Sequence, residues 1–190
     1  MAVHNQGLLR FQLEKRQLDL DLSLASSIQQ LLLPHEAPVI PGFALDSRYH
    51  AAQQVSGDFY DLIPLADGRL GVAVADVSGK GIAASLLMAI CRTNLRQLAQ
   101  HHDSPAAVLT EVNRAMSGEM RQGMFITMIY AIVDLARSEI CFARAGHELP
   151  LLLRGAASGG GCPEYLDSEG MPVGLVPTEA FQPVLEEKRV

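Results

Sequence analysis

Two aspartates frame the stretch VSGDFYDLIPLADGRLGVAVADVSGKG at residues 55–81: Asp58 near its start and Asp76 near its end. Each is set among glycines, with Gly57 before Asp58 and Gly79 and Gly81 after Asp76. Between them, two apolar runs flank Asp67-Gly68, the pattern of a β-hairpin. If the loop is Ala66-Asp67-Gly68 with Gly68 left-handed, Leu65 pairs with Arg69. Continuing that register sets Asp58 opposite Asp76, with Cβ atoms about 5 Å apart. A two-residue Asp67-Gly68 turn shifts the register by one and sends the aspartates to opposite faces. Opposed carboxylates repel and resist desolvation, so a shared proton, a basic side chain or a cation must neutralise them. Lys80 and Arg69 are the nearest basic residues, Arg69 at the far turn. Hard cations such as Mg²⁺ or Mn²⁺ take carboxylate, carbonyl and water oxygens, and glycines leave backbone carbonyls approachable. The plainer alternative is that each aspartate caps a turn.

Other chemistries fit less well. Gly79-Lys80-Gly81 before a helix lacks the hydroxyl residue of a phosphate loop, and Val74 stands where its first glycine belongs. An anion-favouring helix N-terminus near Gly81 is what remains of that idea. Cys91, Cys141 and Cys162 are far apart and without metal-ligand spacing; they read as free buried thiols of a reducing compartment. His147 reads as a structural or surface histidine near a strand end, His101 and His102 as solvated at a helix end, and Asp61 and Asp67 as surface or turn residues.

These residues need elements to hold them. Residues 8–33 are leucine-rich and uninterrupted by Gly or Pro up to Pro34, which predicts a helix. Leu13, Leu20, Leu24 and Leu31 follow an a/d-like spacing, although Leu18, Leu20, Leu22 and Leu24 also alternate as in a strand. Such a helix serves either as a dimerising linker or as a helix packed on its own domain. A proline-rich connector spans 34–41. A strand is expected at 43–50 and then the hairpin, whose two-sided apolarity implies central, buried strands. Residues 80–99 take helical period, with Ile82, Leu86 and Ile90 on one stripe and Ala83, Leu87 and Cys91 on the next. Ser104-Pro105 is an N-cap and first-turn proline for a second helix with core face Leu109, Val112 and Met116. Strands are expected at 125–134, at 139–145, after Pro150, and at Phe181 to Leu185, with a loop at 155–161 and a turn at 172–175. Hairpins with helices between them predict an α+β layered domain of antiparallel sheets covered by helices.

With 190 residues the chain suffices for one domain. A formal net charge of −6 argues against a general nucleic-acid binder. No apolar run reaches the roughly 18 residues of a membrane span, and the N-terminus lacks a signal-peptide layout, so a cytoplasmic location is expected.

Ser56-Gly57-Asp58-Phe59-Tyr60-Asp61 and Ala75-Asp76-Val77-Ser78-Gly79-Lys80-Gly81, followed by an Ala/Leu/Met-rich helix, resemble the SpoIIE-type branch of the PPM metal-dependent serine/threonine phosphatases. Ile28 to Pro34 resembles the family's lead-in helix. Phe125 to Tyr130 and Ala143 to Pro150, with Ala145-Gly146-His147, resemble its central strands, and Pro172-Val173-Gly174-Leu175 resembles its "PLGL" turn. The matches span about residues 25–175 in order. The resemblance implies an α-β-β-α sandwich of two antiparallel sheets flanked by helices, with residues 1–33 as a linker or dimerisation helix and 34–190 as the phosphatase domain. It implies hydrolysis of phosphoserine or phosphothreonine at a two-metal Mn²⁺ or Mg²⁺ site. Asp58 and Asp76 would be ligands there, the Val77 carbonyl a further one, and an activated water would attack phosphorus in line. The implied partner is a phosphorylated regulatory protein of the anti-anti-sigma-factor kind in bacterial partner switching, with a homodimer through residues 8–33.

The chain departs from the family at Ser56, where glycine is usual, and at Arg144, where asparagine commonly precedes Ala-Gly-His. A further metal-binding aspartate, expected in a Thr-Asp-Gly segment after the "PLGL" turn, does not occur before Val190, so the domain and its metal site are expected to be C-terminally incomplete. The rival expectation is a catalytically inactive module that keeps the fold for binding.

Overall fold

The computed structural model describes residues 2–120, 123–155 and 162–190. Helix α1 (Ala2–Leu32) leads into strands β1 (Phe59–Pro64) and β2 (Leu70–Val77), then α2 (Ile82–Leu98), α3 (Pro105–Met116), β3 (Ile126–Asp134) and β4 (Glu139–Ala145). Short strands β5 (Leu151–Leu152) and β6 (Glu164–Tyr165), helix α4 (Thr178–Phe181) and strand β7 (Glu187–Arg189) complete the order. Five strands form one antiparallel sheet in the order β1-β2-β3-β4-β7, and β5 and β6 make a separate two-stranded ribbon. The predicted α+β class of antiparallel sheet and helices is observed.

Period-two alternation fixes which sheet face is covered. Phe59, Ile63, Ala73, Ala75, Val77, Ile126, Met128 and Tyr130 are buried in one core. Onto it pack Ala84, Leu87, Met88, Cys91 and Leu95 of α2 and Leu109, Val112 and Met116 of α3. Ser104 caps α3 as its sequence predicts, its hydroxyl accepting from the Ala107 N–H at 3.1 Å with Pro105 in the first turn.

Several expectations are corrected. β1 is an edge strand rather than a central one. Its second face is apolar because the connector runs beside it: Tyr60 donates to the Pro34 carbonyl at 3.0 Å, and Leu62 and Pro64 line a shallow cavity with Pro34, Ala37 and Val39. Residues 43–50 form no strand, only an Ile40–Phe43 bridge. Phe181 to Leu185 is helical turn, and β7 starts only at Glu187. On α2, Ile82, Leu86 and Ile90 face outward. Of the cysteines, which are all free, Cys91 is buried but Cys162 is exposed. The loop read at 155–161 lies outside the described residues beyond Gly155. No described helix is long and apolar enough to cross a membrane.

Candidate active site

The β1–β2 loop decides the site. Ala66–Gly68 forms a single helical turn, Gly68 takes φ +80°, and the Leu65 N–H donates to the Arg69 carbonyl at 3.0 Å. This is the three-residue loop. Its register pairs Phe59 with Ala75, so the next opposed positions beyond the ladder are Asp58 and Asp76. Both are exposed, at the open end of the hairpin and on the face opposite the core. They line one cleft of about 310 Å³ together with Ser56, Gly57, Gly79 and Lys80. Partial burial, then a hydrogen bond shared with Asp58 and its charge, push the Asp76 carboxyl above its ordinary value. Two opposed acids disfavour each other's ionisation in this way.

The position opposite Val77 is Gly57. The Ser78 N–H donates to the Phe125 carbonyl of the neighbouring strand at 2.9 Å, so the Val77 carbonyl of the same peptide points away from β3, toward Gly57. A Cβ at residue 57 would lie 2.7 Å from that oxygen. Gly57 is what leaves the carbonyl approachable at the cleft. Two carboxylates and a cleared carbonyl are hard oxygen donors, and this donor set fits Mg²⁺ or Mn²⁺. Among the described residues no group of three or more His, Cys, Asp or Glu side chains gathers into a metal site.

Three residues around the hairpin make contacts that the sequence does not show. Asp61 is wholly buried rather than superficial. Its carboxylate meets Arg92 Nε at 3.1 Å and Arg96 Nη1 at 3.0 Å, which ties β1 to α2. Burial pushes the Asp61 carboxyl up while the two guanidinium charges pull it back. His147 is half-buried, with Nδ1 2.8 Å from Thr127 Oγ1, and Thr127 is the register partner of Asp76. Burial lowers the His147 pKa; Glu148 and Asp58 oppose this and Arg144 adds to it. Arg144 itself donates to the His147 carbonyl at 2.9 Å and to Asp167 at 3.0 Å. The third is Gln29 of α1, whose amide bonds the backbone of Ser56. Period-two and helical patterns do not show the Asp61, Thr127–His147 and Gln29 contacts, because those partners are 20 or more residues apart.

The family model for "Stage II sporulation protein E (SpoIIE)" matches residues 66–187, more than half of the chain. The chain belongs to the SpoIIE family. Among curated relatives it is 31% identical over 134 residues, 70% of this chain, to the phosphoserine phosphatase RsbU of Bacillus subtilis. It is 30% identical over 167 residues, 85% of this chain, to the phosphoserine phosphatase RsbP of the same organism. The SpoIIE-family chain spans 40% of the length of each. Its fold matches the SiaA PP2C domain of Pseudomonas aeruginosa with a TM-score of 0.69 at 21% identity, covering 93% of this chain and 68% of that one. The architecture is that of a PP2C phosphatase domain, here a five-stranded antiparallel sheet with helices and a two-stranded ribbon.

Proposed function

We propose that this SpoIIE-family chain is a metal-dependent protein serine/threonine phosphatase domain. The observation that carries the reading is the pair of opposed carboxylates, Asp58 and Asp76, at the mouth of a cleft that also holds Lys80. Asp58, Asp76 and the Val77 carbonyl would hold Mn²⁺ or Mg²⁺. Divalent cations there supply the Lewis acidity that activates water and offsets phosphoryl charge. Lys80 gives the cleft a cation that draws a phosphate dianion inward, and the exposure of both aspartates leaves the cleft open to a protein-borne phosphoserine. By likeness to RsbU and RsbP, whose names give phosphoserine as their substrate, the phosphorylated partner is a regulatory protein of the anti-anti-sigma kind, in the cytoplasm.

The test is Mn²⁺-dependent phosphate release from a phosphoserine protein by the wild-type chain, beside Asp58→Asn and Asp76→Asn. Loss of release in both variants, with folding intact, is expected. Release unchanged by either substitution overturns the two-metal reading. The second reading, a binding module without turnover, is favoured by the lack of a third side-chain ligand among the described residues. It predicts a folded wild type that binds the phosphoprotein without cleaving it.

A further inference from the structure

Gln29 and Ser56 lie at a junction that composition does not announce. Gln29, near the end of α1, is 7% exposed. Its side-chain amide closes on both backbone groups of Ser56: Nε2 donates to the Ser56 carbonyl at 2.6 Å, and Oε1 accepts from the Ser56 N–H at 3.0 Å. That is the bonding a neighbouring strand would give, supplied by one side chain from 27 residues away. It comes where β1 has not yet begun and no ladder partner holds the chain. Ser56 passes the constraint on. Its hydroxyl accepts from the Asp58 N–H at 3.1 Å and donates to Asp58 Oδ2 at 3.1 Å. Tyr49 adds a weaker hold, donating to the Asp58 carbonyl at 3.4 Å.

We propose that Gln29 and Ser56 are positioning residues for the Asp58 carboxylate. Gln29 fixes the backbone of Ser56, and the Ser56 hydroxyl fixes the side chain of Asp58 by one oxygen, leaving the other free of Ser56. The inference rests on the reading of Asp58 as a cation ligand. An exposed carboxylate samples several rotamers, and binding a cation requires one of them. Partners that orient a ligand from behind change metal affinity by about 10–100-fold when removed. A glycine at position 56 would have no hydroxyl to offer Asp58. The same contacts make α1 part of the site's support, because the amide that holds Ser56 belongs to that helix.

Mn²⁺ titration followed by electron paramagnetic resonance tests this on the full chain, with amide hydrogen exchange of the metal-free protein as an independent readout. Ser56→Ala is expected to weaken Mn²⁺ binding about 10-fold at an unchanged unfolding midpoint, and Ser56→Thr, which keeps the hydroxyl, to restore most of it. Gln29→Ala is expected to weaken it by a similar factor and to speed exchange at the Ser56 and Asp58 amides. The double variant is expected to lose less than the product of the two, because both act through one carboxylate. Wild-type Mn²⁺ affinity in Ser56→Ala and Gln29→Ala overturns the proposal, and so does unchanged amide exchange in Gln29→Ala. A wild type that binds no Mn²⁺ overturns the cation reading of Asp58 instead, and amide exchange then decides the Gln29–Ser56–Asp58 linkage by itself.

Discussion

Asp58 and Asp61 sit three residues apart, and strand alternation sends them to opposite sides of the sheet. Asp58 opens on the cleft, while Asp61 is buried under α2 between Arg92 and Arg96. Asp61→Asn removes the charge that two guanidiniums share and leaves Arg92, only 9% exposed, without compensation. Breaking a buried pair from one side costs about 3–5 kcal/mol, and the partial exposure of Arg96 places the expected loss near the low end. Urea denaturation measures it; a change within experimental error would show that the pair contributes nothing net. His147 gives a pH signature. Folding favours its neutral ring, since burial holds its pKa below the ordinary 6.5, against Glu148 and Asp58 and together with Arg144. That contribution is present above about pH 6.5 and is lost as pH falls through the lower folded value. His147→Asn is therefore expected to flatten the decline in denaturation midpoint between about pH 7 and pH 5. An unchanged slope would place the acid sensitivity elsewhere.

At the scale of elements, the local signals were the legible ones. Asp67-Gly68 marked the hairpin, but a left-handed Gly68 suits the two-residue and the three-residue loop alike; the Leu65–Arg69 hydrogen bond decides the register and with it the facing of Asp58 and Asp76. Ser104-Pro105 fixed the start of α3, because the cap is written in adjacent residues. Its strength can be measured. Ser104→Ala removes the acceptor of the Ala107 N–H and the donor to Glu187, whose carboxylate also accepts from the Ala106 N–H at 3.2 Å. A loss of about 1 kcal/mol in thermal or urea unfolding is expected, and no loss would mean that Glu187 caps the helix alone. What was not legible depended on distant partners. Residues 43–50 alternate well enough for a strand but have no neighbouring strand to pair with, and Phe181 is buried by helical turn rather than by sheet. Asp61 passed for a surface residue because its two arginines lie 31 and 35 positions away. Gln29 was one more polar residue in a leucine-rich helix until its bond to Ser56 showed it.

For the whole molecule, α1 is the feature that the single chain leaves unexplained. Its 31 residues extend about 46 Å, yet its firm attachments are near its end, at buried Gln29 and at Leu33 just beyond it. Leu13, Leu20, Leu24 and Leu31 are 60%, 59%, 64% and 69% exposed, so the a/d-like seam faces away from the domain. A row of exposed leucines on an isolated helix is costly in water, and a second copy of the same seam removes that cost by knobs-into-holes packing. A homodimer through residues 8–33 is accordingly the expected state in solution. Sedimentation of the wild type should show a concentration-dependent dimer, and the Leu20→Glu, Leu24→Glu double variant should sediment as a monomer with an undiminished unfolding midpoint for the sheet domain. The substitutions touch only exposed positions, so a monomer that keeps its fold isolates the seam as the cause. A wild type that stays monomeric at high concentration would rule the dimer out and leave α1 supporting the site only through its last turns.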